Sequence, residues 1–233
     1  MKKPLKARPS RDKNIKNRAT AVGSVRIIGG QFKRRSVTFI DTEGLRPTPD
    51  RLRETLFNWL LRELHGARVL DSCAGSGVLG FEALSRGAAH CTFIETSQAQ
   101  SVLLEKTAQQ LQITTDNYRV ITGAAEKVLN QDGYFNTGIL DNDIKQPFDV
   151  VFIDPPYEQD LWQPILTALI MNNLITTKTF IYLEANKDLS EQLNALTLSL
   201  NAIFIEQGLN GFECIKQTKV GQVVAGLYGL SPS

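Results

Sequence analysis

Two groups of residues in this chain of 233 are spaced for chemistry. The first is Asp154-Pro155-Pro156-Tyr157, which follows the run from Phe148 to Ile153, apolar except for Asp149. Such a run reads as a buried parallel strand. Proline donates no ladder hydrogen bond and fixes its own φ, so the pair of prolines stops that strand. An acid, a rigid turn and an aromatic ring then stand at the carboxyl end of a central strand, where open α/β sheets bind their ligands. Pro-Pro is also common punctuation, and the tetrapeptide alone admits a plain strand end with an incidental tyrosine.

The second group runs from Asp71 through Ala74, Gly75, Ser76 and Gly77 to Gly80. Gly75, Gly77 and Gly80 fit the spacing G-x-G-x-x-G between a strand and a helix, where glycine lets the backbone turn tightly and approach a ligand. Glu95, followed by Thr96, ends the next strand, placed to accept hydrogen bonds from ribose hydroxyls. Loop and acid together indicate a cofactor that contains adenosine. Asp71 favours S-adenosylmethionine over a dinucleotide: an acid directly before the glycines can meet a cationic or ammonium group but repels a pyrophosphate. A dinucleotide domain also leaves the tetrapeptide on the later strand unexplained.

The elements that must hold these groups alternate. Strands are expected at Val69–Asp71, Cys91–Glu95, Tyr118–Thr122, Phe148–Asp154 and Thr179–Glu184, with helices at Val78–Arg86, Gln98–Gln112, Ala124–Asn130 and about Leu161–Met171. This rhythm predicts an α/β fold, a doubly wound Rossmann-like sheet that is mostly parallel. Its first and fourth strands flank the switch point, so Asp71 and Asp154 end side by side. The segments Ala202–Gln207, Phe212–Gln217 and Val223–Leu230 read as strands, the last of them an antiparallel edge hairpin. Before the sheet, Val25–Ile28 and Arg35–Ile40 form a hairpin around Gly29-Gly30. Asp50 is the expected N-cap of a helix from about Arg51 to Leu64. The domain reading is a basic disordered arm over 1–23, a hairpin and helix over 24–66 that extend the fold, and the cofactor domain over 67–233.

Charge is unevenly placed. Residues 1–35 hold twelve Lys or Arg and one acid, Asp12, whereas the rest of the chain holds fourteen basic and twenty-three acidic residues. A basic arm on an acidic body points to a polyanion, most simply nucleic acid. Lys33, Arg34 and Arg35 are the candidate backbone contacts, joined by Arg46, Thr48, Arg51 and Arg53 just before the sheet. The three cysteines lack metal-type spacing and read as reduced thiols of a cytoplasmic protein. No stretch is apolar enough to predict a membrane span.

With these residues in place, the chain resembles the amino-group methyltransferases that carry Asp/Asn-Pro-Pro-Tyr/Phe. More closely it resembles the RsmD family of 16S rRNA guanine-N2 methyltransferases. The matching segments are Val25–Gly30, Leu45–Thr48, Asp50-Arg51, Arg53–Leu60, Ala74–Gly77, Leu84–Arg86 and Gly221–Val223. The resemblance implies a class I methyltransferase that uses S-adenosylmethionine and releases S-adenosylhomocysteine. It implies as substrate one guanine amine of 16S rRNA in the assembling small ribosomal subunit. A sulfonium does the hard chemistry, so no metal is expected, and the chain is expected to act as a monomer away from membranes. Asp154 and Pro155 would accept the amine hydrogens, Pro156 would hold the turn rigid, and Tyr157 would stack on the base. The family's polar residue after the third strand is replaced here by Gly123-Ala124-Ala125-Glu126, so Ala124, Ala125 and Glu126 are expected at the adenine. The alternative target is adenine N6 or cytosine N4 of DNA or another RNA.

Overall fold

The computed structural model describes residues 22–40, 48–131, 146–156, 161–186 and 189–233. A two-stranded antiparallel sheet comes first, β1 (Val22–Arg26) and β2 (Ser36–Ile40), followed by helix α1 (Asp50–Trp59). Then strand and helix alternate: β3 (Arg68–Asp71), α2 (Val78–Ser85), β4 (His90–Glu95), α3 (Gln98–Gln110), β5 (Tyr118–Thr122), α4 (Ala125–Val128), β6 (Val150–Ile153), α5 (Trp162–Met171) and β7 (Phe180–Ala185). Two helices, α6 (Leu189–Ser199) and α7 (Asn201–Glu206), lead to the long hairpin β8 (Leu209–Val220) and β9 (Val223–Pro232).

The seven strands of the main sheet lie in the order β5-β4-β3-β6-β7-β9-β8. All pairings from β5 to β7 are parallel, whereas β9 is antiparallel to both of its neighbours. The order reverses between β3 and β6, as expected of a doubly wound sheet, so the ends of these two strands bound the ligand crevice.

Alternation along the buried strands sends successive side chains to opposite faces. Leu70, Ile94, Val151, Ile153, Ile181 and Leu183 join the core under α4 to α7. Val69, Phe93, Val150, Phe152 and Tyr182 join the other core, with Ile27, Val37, Leu56 and Phe57 from the N-terminal elements. The extension therefore packs on the same sheet face that Asp71 and Asp154 share.

Several boundaries differ from the sequence expectation. The segment Ala202–Gln207 is helical, not a strand: α7 buries Phe204 edge-on against Phe212 of β8 at 5.6 Å and leaves Ile205 68% exposed, a one-faced pattern that a strand with no partner edge could not satisfy. Helix α6 was not expected, although Leu189, Leu193 and Leu196, its buried face, stand at helical spacing. Asp50 is the first residue of α1 and Pro49 its N-cap. The strands β1 and β2 are joined by residues 27–35 and not by a two-residue turn at Gly29-Gly30. Those glycines instead let the loop lie against α2. The Gly29 carbonyl accepts from Ser85 Oγ at 2.5 Å, and a Cβ on Gly30, at φ +72°, would fall 1.8 Å from the Ser85 carbonyl oxygen.

Candidate active site

The glycine loop is tied to both neighbouring strands. Ser72 donates to the Phe152 carbonyl of β6 through its N–H (3.1 Å) and its hydroxyl (2.8 Å). Ala74 N–H donates to the Ile94 carbonyl of β4 at 2.9 Å. Gly75 and Gly77 have φ of +50° and +74°, so the turn uses conformations that other residues reach only under strain. A Cβ at Gly77 would also lie 2.4 Å from Leu104 Cδ2 of α3. Ser76 is buried in this turn.

Glu95 stands at the rim. One carboxylate oxygen accepts from Gly75 N–H at 2.9 Å and the other from Ser97 N–H at 2.7 Å and Thr96 Oγ1 at 3.3 Å. A carboxylate offers about four acceptor positions and three are taken here, so one remains for a ribose hydroxyl at this half-buried side chain. The end of β5 lies beside it, since Gly123 N–H donates to the Glu95 carbonyl at 2.9 Å. Ala124 caps α4, Ala125 is buried and Glu126 is half-buried.

Asp71 is buried, and its Oδ2 accepts from Gly80 N–H at 3.1 Å. Burial pushes its carboxyl up to about 7, against the Gly80 hydrogen bond and with help from the charge of Glu95. Part of Asp71 thus braces the first turn of α2.

Across the switch point, Asp154 leaves the end of β6 with Pro155 buried behind it. Its Oδ2 accepts from Thr48 Oγ1 at 3.3 Å. Burial, the neighbouring Glu184 and, more weakly, Asp71 hold Asp154 well above the usual carboxylate range, against the Thr48 hydrogen bond. Acids from three adjacent strands therefore crowd the carboxyl ends of β3, β6 and β7. That donor set suits a cationic ligand, since positive charge nearby would favour the ionised form of each.

The sequence foresaw neither Glu184 nor the true place of the basic residues before the sheet. Glu184 follows the apolar run Phe180–Leu183 of β7 as Asp154 follows that of β6, and that repeated pattern was the available signal. Arg53, expected at nucleic acid, is fully buried: its guanidinium donates to Glu82 (3.1 Å), Asp50 (2.6 Å) and the carbonyls of Arg26 (2.9 Å) and Thr48 (3.1 Å). With these bonds made inside the protein, it cannot reach a phosphate and acts as a structural residue. Thr48 is buried at Asp154. Arg51 is exposed on α1, and Lys33, Arg34 and Arg35 are exposed on the loop between β1 and β2, with Arg35 donating to the Gln110 carbonyl at 2.7 Å. Arg46 and Tyr157 lie outside the described residues.

A mostly parallel seven-stranded sheet, a glycine loop after β3, an acid closing β4 and Asp-Pro-Pro closing β6 define a class I methyltransferase. Residues 25–228 match the family model described as conserved hypothetical protein 95. The chain is 41% identical over 169 residues to the ribosomal RNA small subunit methyltransferase D of Haemophilus influenzae, covering 72% of this chain and 82% of that protein. It is also 41% identical over 163 residues to the protein of the same name from Escherichia coli, covering 70% and 75%. The solved structure of yhhF from Escherichia coli superposes with a TM-score of 0.70 at 33% identity, covering 91% of this chain and all of that one. The chain belongs to this family, that of ribosomal RNA small subunit methyltransferase D.

Proposed function

We propose that this protein methylates the exocyclic N2 amine of one guanine in 16S rRNA, acting as a monomer on the assembling small ribosomal subunit in the cytoplasm. The observation that carries the reading is the adjacency of Asp154-Pro155, closing β6, to the glycine loop that closes β3, its neighbour in the sheet. Family membership supports RNA as the substrate class. Cys73, Cys91 and Cys214 are free thiols, in keeping with a reducing compartment.

S-adenosylmethionine, when bound, supplies an electrophilic methyl group on a sulfonium and leaves as S-adenosylhomocysteine. Ala74, Gly75, Ser76 and Gly77 would border its methionine part, with Asp71 behind them. Glu95 and Thr96 would take the ribose, and Ala124, Ala125 and Glu126 the adenine.

A guanine amine is a poor nucleophile because its lone pair is delocalised into the ring. The Asp154 carboxyl and the Pro155 carbonyl accept its two N–H hydrogens and turn the lone pair out of the ring plane; once the nitrogen carries the methyl group, the cationic product loses one of those protons to solvent. The prolines fix both acceptors before the base arrives, so little reorganisation remains at the moment of reaction. Tyr157 stacks on a base drawn out of its helix or loop. Lys33, Arg34, Arg35 and Arg51 meet the RNA backbone.

Transfer of tritiated methyl from S-adenosylmethionine to undermethylated small subunits, free 16S rRNA and DNA tests this reading. Incorporation confined to the small subunit or its rRNA supports it, and incorporation into DNA overturns it.

A further inference from the structure

Glu184 has so far been placed only among the acids at the ends of β3, β6 and β7. Strands β6 and β7 run parallel with Ile153 opposite Leu183, so Asp154 and Glu184 occupy the next positions in adjacent strands. Phe152 and Tyr182, two residues earlier on each, pack edge-on at 6.2 Å on the shared face. Glu184 is 2% exposed, and its Oε1 accepts from Tyr182 Oη at 2.7 Å. The hydroxyl of Thr48 donates to Asp154 Oδ2 at 3.3 Å.

A buried glutamate next to a half-buried aspartate is costly unless the pair does something. Like charges this close cannot both ionise freely, and the first to ionise raises the proton affinity of the second. Among the described residues, the groups that face the pair are Asp71 from β3, Cys73 from the turn that follows it, Tyr182 from β7 and Thr48 from the extension. Across from Glu184, β9 presents the uncharged Ala225. No cation from a described residue balances the pair.

We propose that Glu184 is a positioning residue for the methyl transfer: standing beside Asp154 on the adjacent strand, its charge makes the Asp154 carboxylate a stronger acceptor for the target amine. Tyr182, by donating to Glu184, favours the ionised form of Glu184, and that charge is what acts on Asp154. Burial raises both carboxyls, and at Asp154 the charge of Glu184 adds to it, against the hydrogen bonds from Thr48 and Tyr182. This role rests on the function proposed above.

The test is the Glu184→Gln variant, which keeps the shape and the acceptor for Tyr182 but removes the charge. Carbon-13 carboxyl titration of Asp154 in the free protein reads the coupling without any turnover. Asp154 in E184Q should ionise at a pH lower by about one unit or more, and the acid limb of kcat for methyl transfer should move down with it while KM for RNA is held. Tyr182→Phe should shift both in the same direction by less, and serves if E184Q does not fold. An Asp154 titration that is unchanged in the variants overturns the role of Glu184 alone. Absence of methyl transfer by the wild-type protein overturns the proposed function instead, and is read separately from the titration.

Discussion

Arg53 of α1 and Glu82 of α2 meet at 3.1 Å with neither side chain exposed. Glu82 also accepts from Arg86 at 3.2 Å and from the backbone N–H groups of Ile28 and Gly29. One buried carboxylate thus joins the β1–β2 loop, α1 and α2. Removing Glu82 leaves the buried Arg53 with only the exposed Asp50 as its counter-ion and strips the acceptor from two backbone N–H groups, and breaking a buried pair in this way costs about 3–5 kcal/mol. Glu82→Ala should lower stability by that order in denaturant unfolding and release the hairpin first. An unfolding midpoint equal to the wild type would refute the staple.

Glu95 should matter for cofactor affinity more than for turnover. Glu95→Ala removes the acceptor of Gly75 N–H as well as the ribose partner. Hydrogen bonds to charged groups are worth about 1.5–3 kcal/mol, so the Kd for S-adenosylmethionine should rise roughly tenfold or more by calorimetry, with kcat at saturation changed little.

Stability should fall as pH rises from about 4 to about 7. The Asp71 carboxyl is raised to about 7 in the folded protein, above its unfolded value, so the native state binds more protons in that window and loses stability as they leave. Asp154 and Glu184 act with the same sign. Asp71→Asn keeps an acceptor for Gly80 N–H and should flatten part of this slope, by an amount on the order of a few kcal/mol between the two ends. Chemical unfolding of both proteins at pH 5 and pH 8 measures it.

The cations on the β1–β2 loop give a salt-dependent prediction. Replacing Lys33, Arg34 and Arg35 together by Ala should weaken binding to rRNA and reduce the slope of log K against log salt by about two to three. Filter binding across a salt series reads both quantities. An unchanged slope would mean that the RNA backbone passes elsewhere.

Much of this was legible in the chain because local rules and the global fold agree there. The run before Asp154 and the glycines after Asp71 name both strand ends, and the alternation of elements predicts that those ends are neighbours. What escaped was long-range. Arg53 looks like any exposed arginine on a helix until Glu82, 29 residues away, is seen to receive it. Thr48 sits in a Pro-rich segment whose pattern says nothing of Asp154, 106 residues on. Ala202 to Glu206 misled because a short apolar run does not separate strand from helix, and only the contact of Phe204 with Phe212 decides it.

The central claim is tested most directly by nucleoside mass spectrometry of undermethylated small subunits after incubation with S-adenosylmethionine and either the wild-type protein or Asp154→Ala. The account predicts N2-methylguanosine at a single 16S rRNA position with the wild type, and at least a hundredfold less with a folded variant that still binds the cofactor, as expected for loss of preorganised acceptors, roughly 10²–10³ in rate. Methylation of adenine or cytosine by the wild type, or undiminished methylation by the variant, would contradict it.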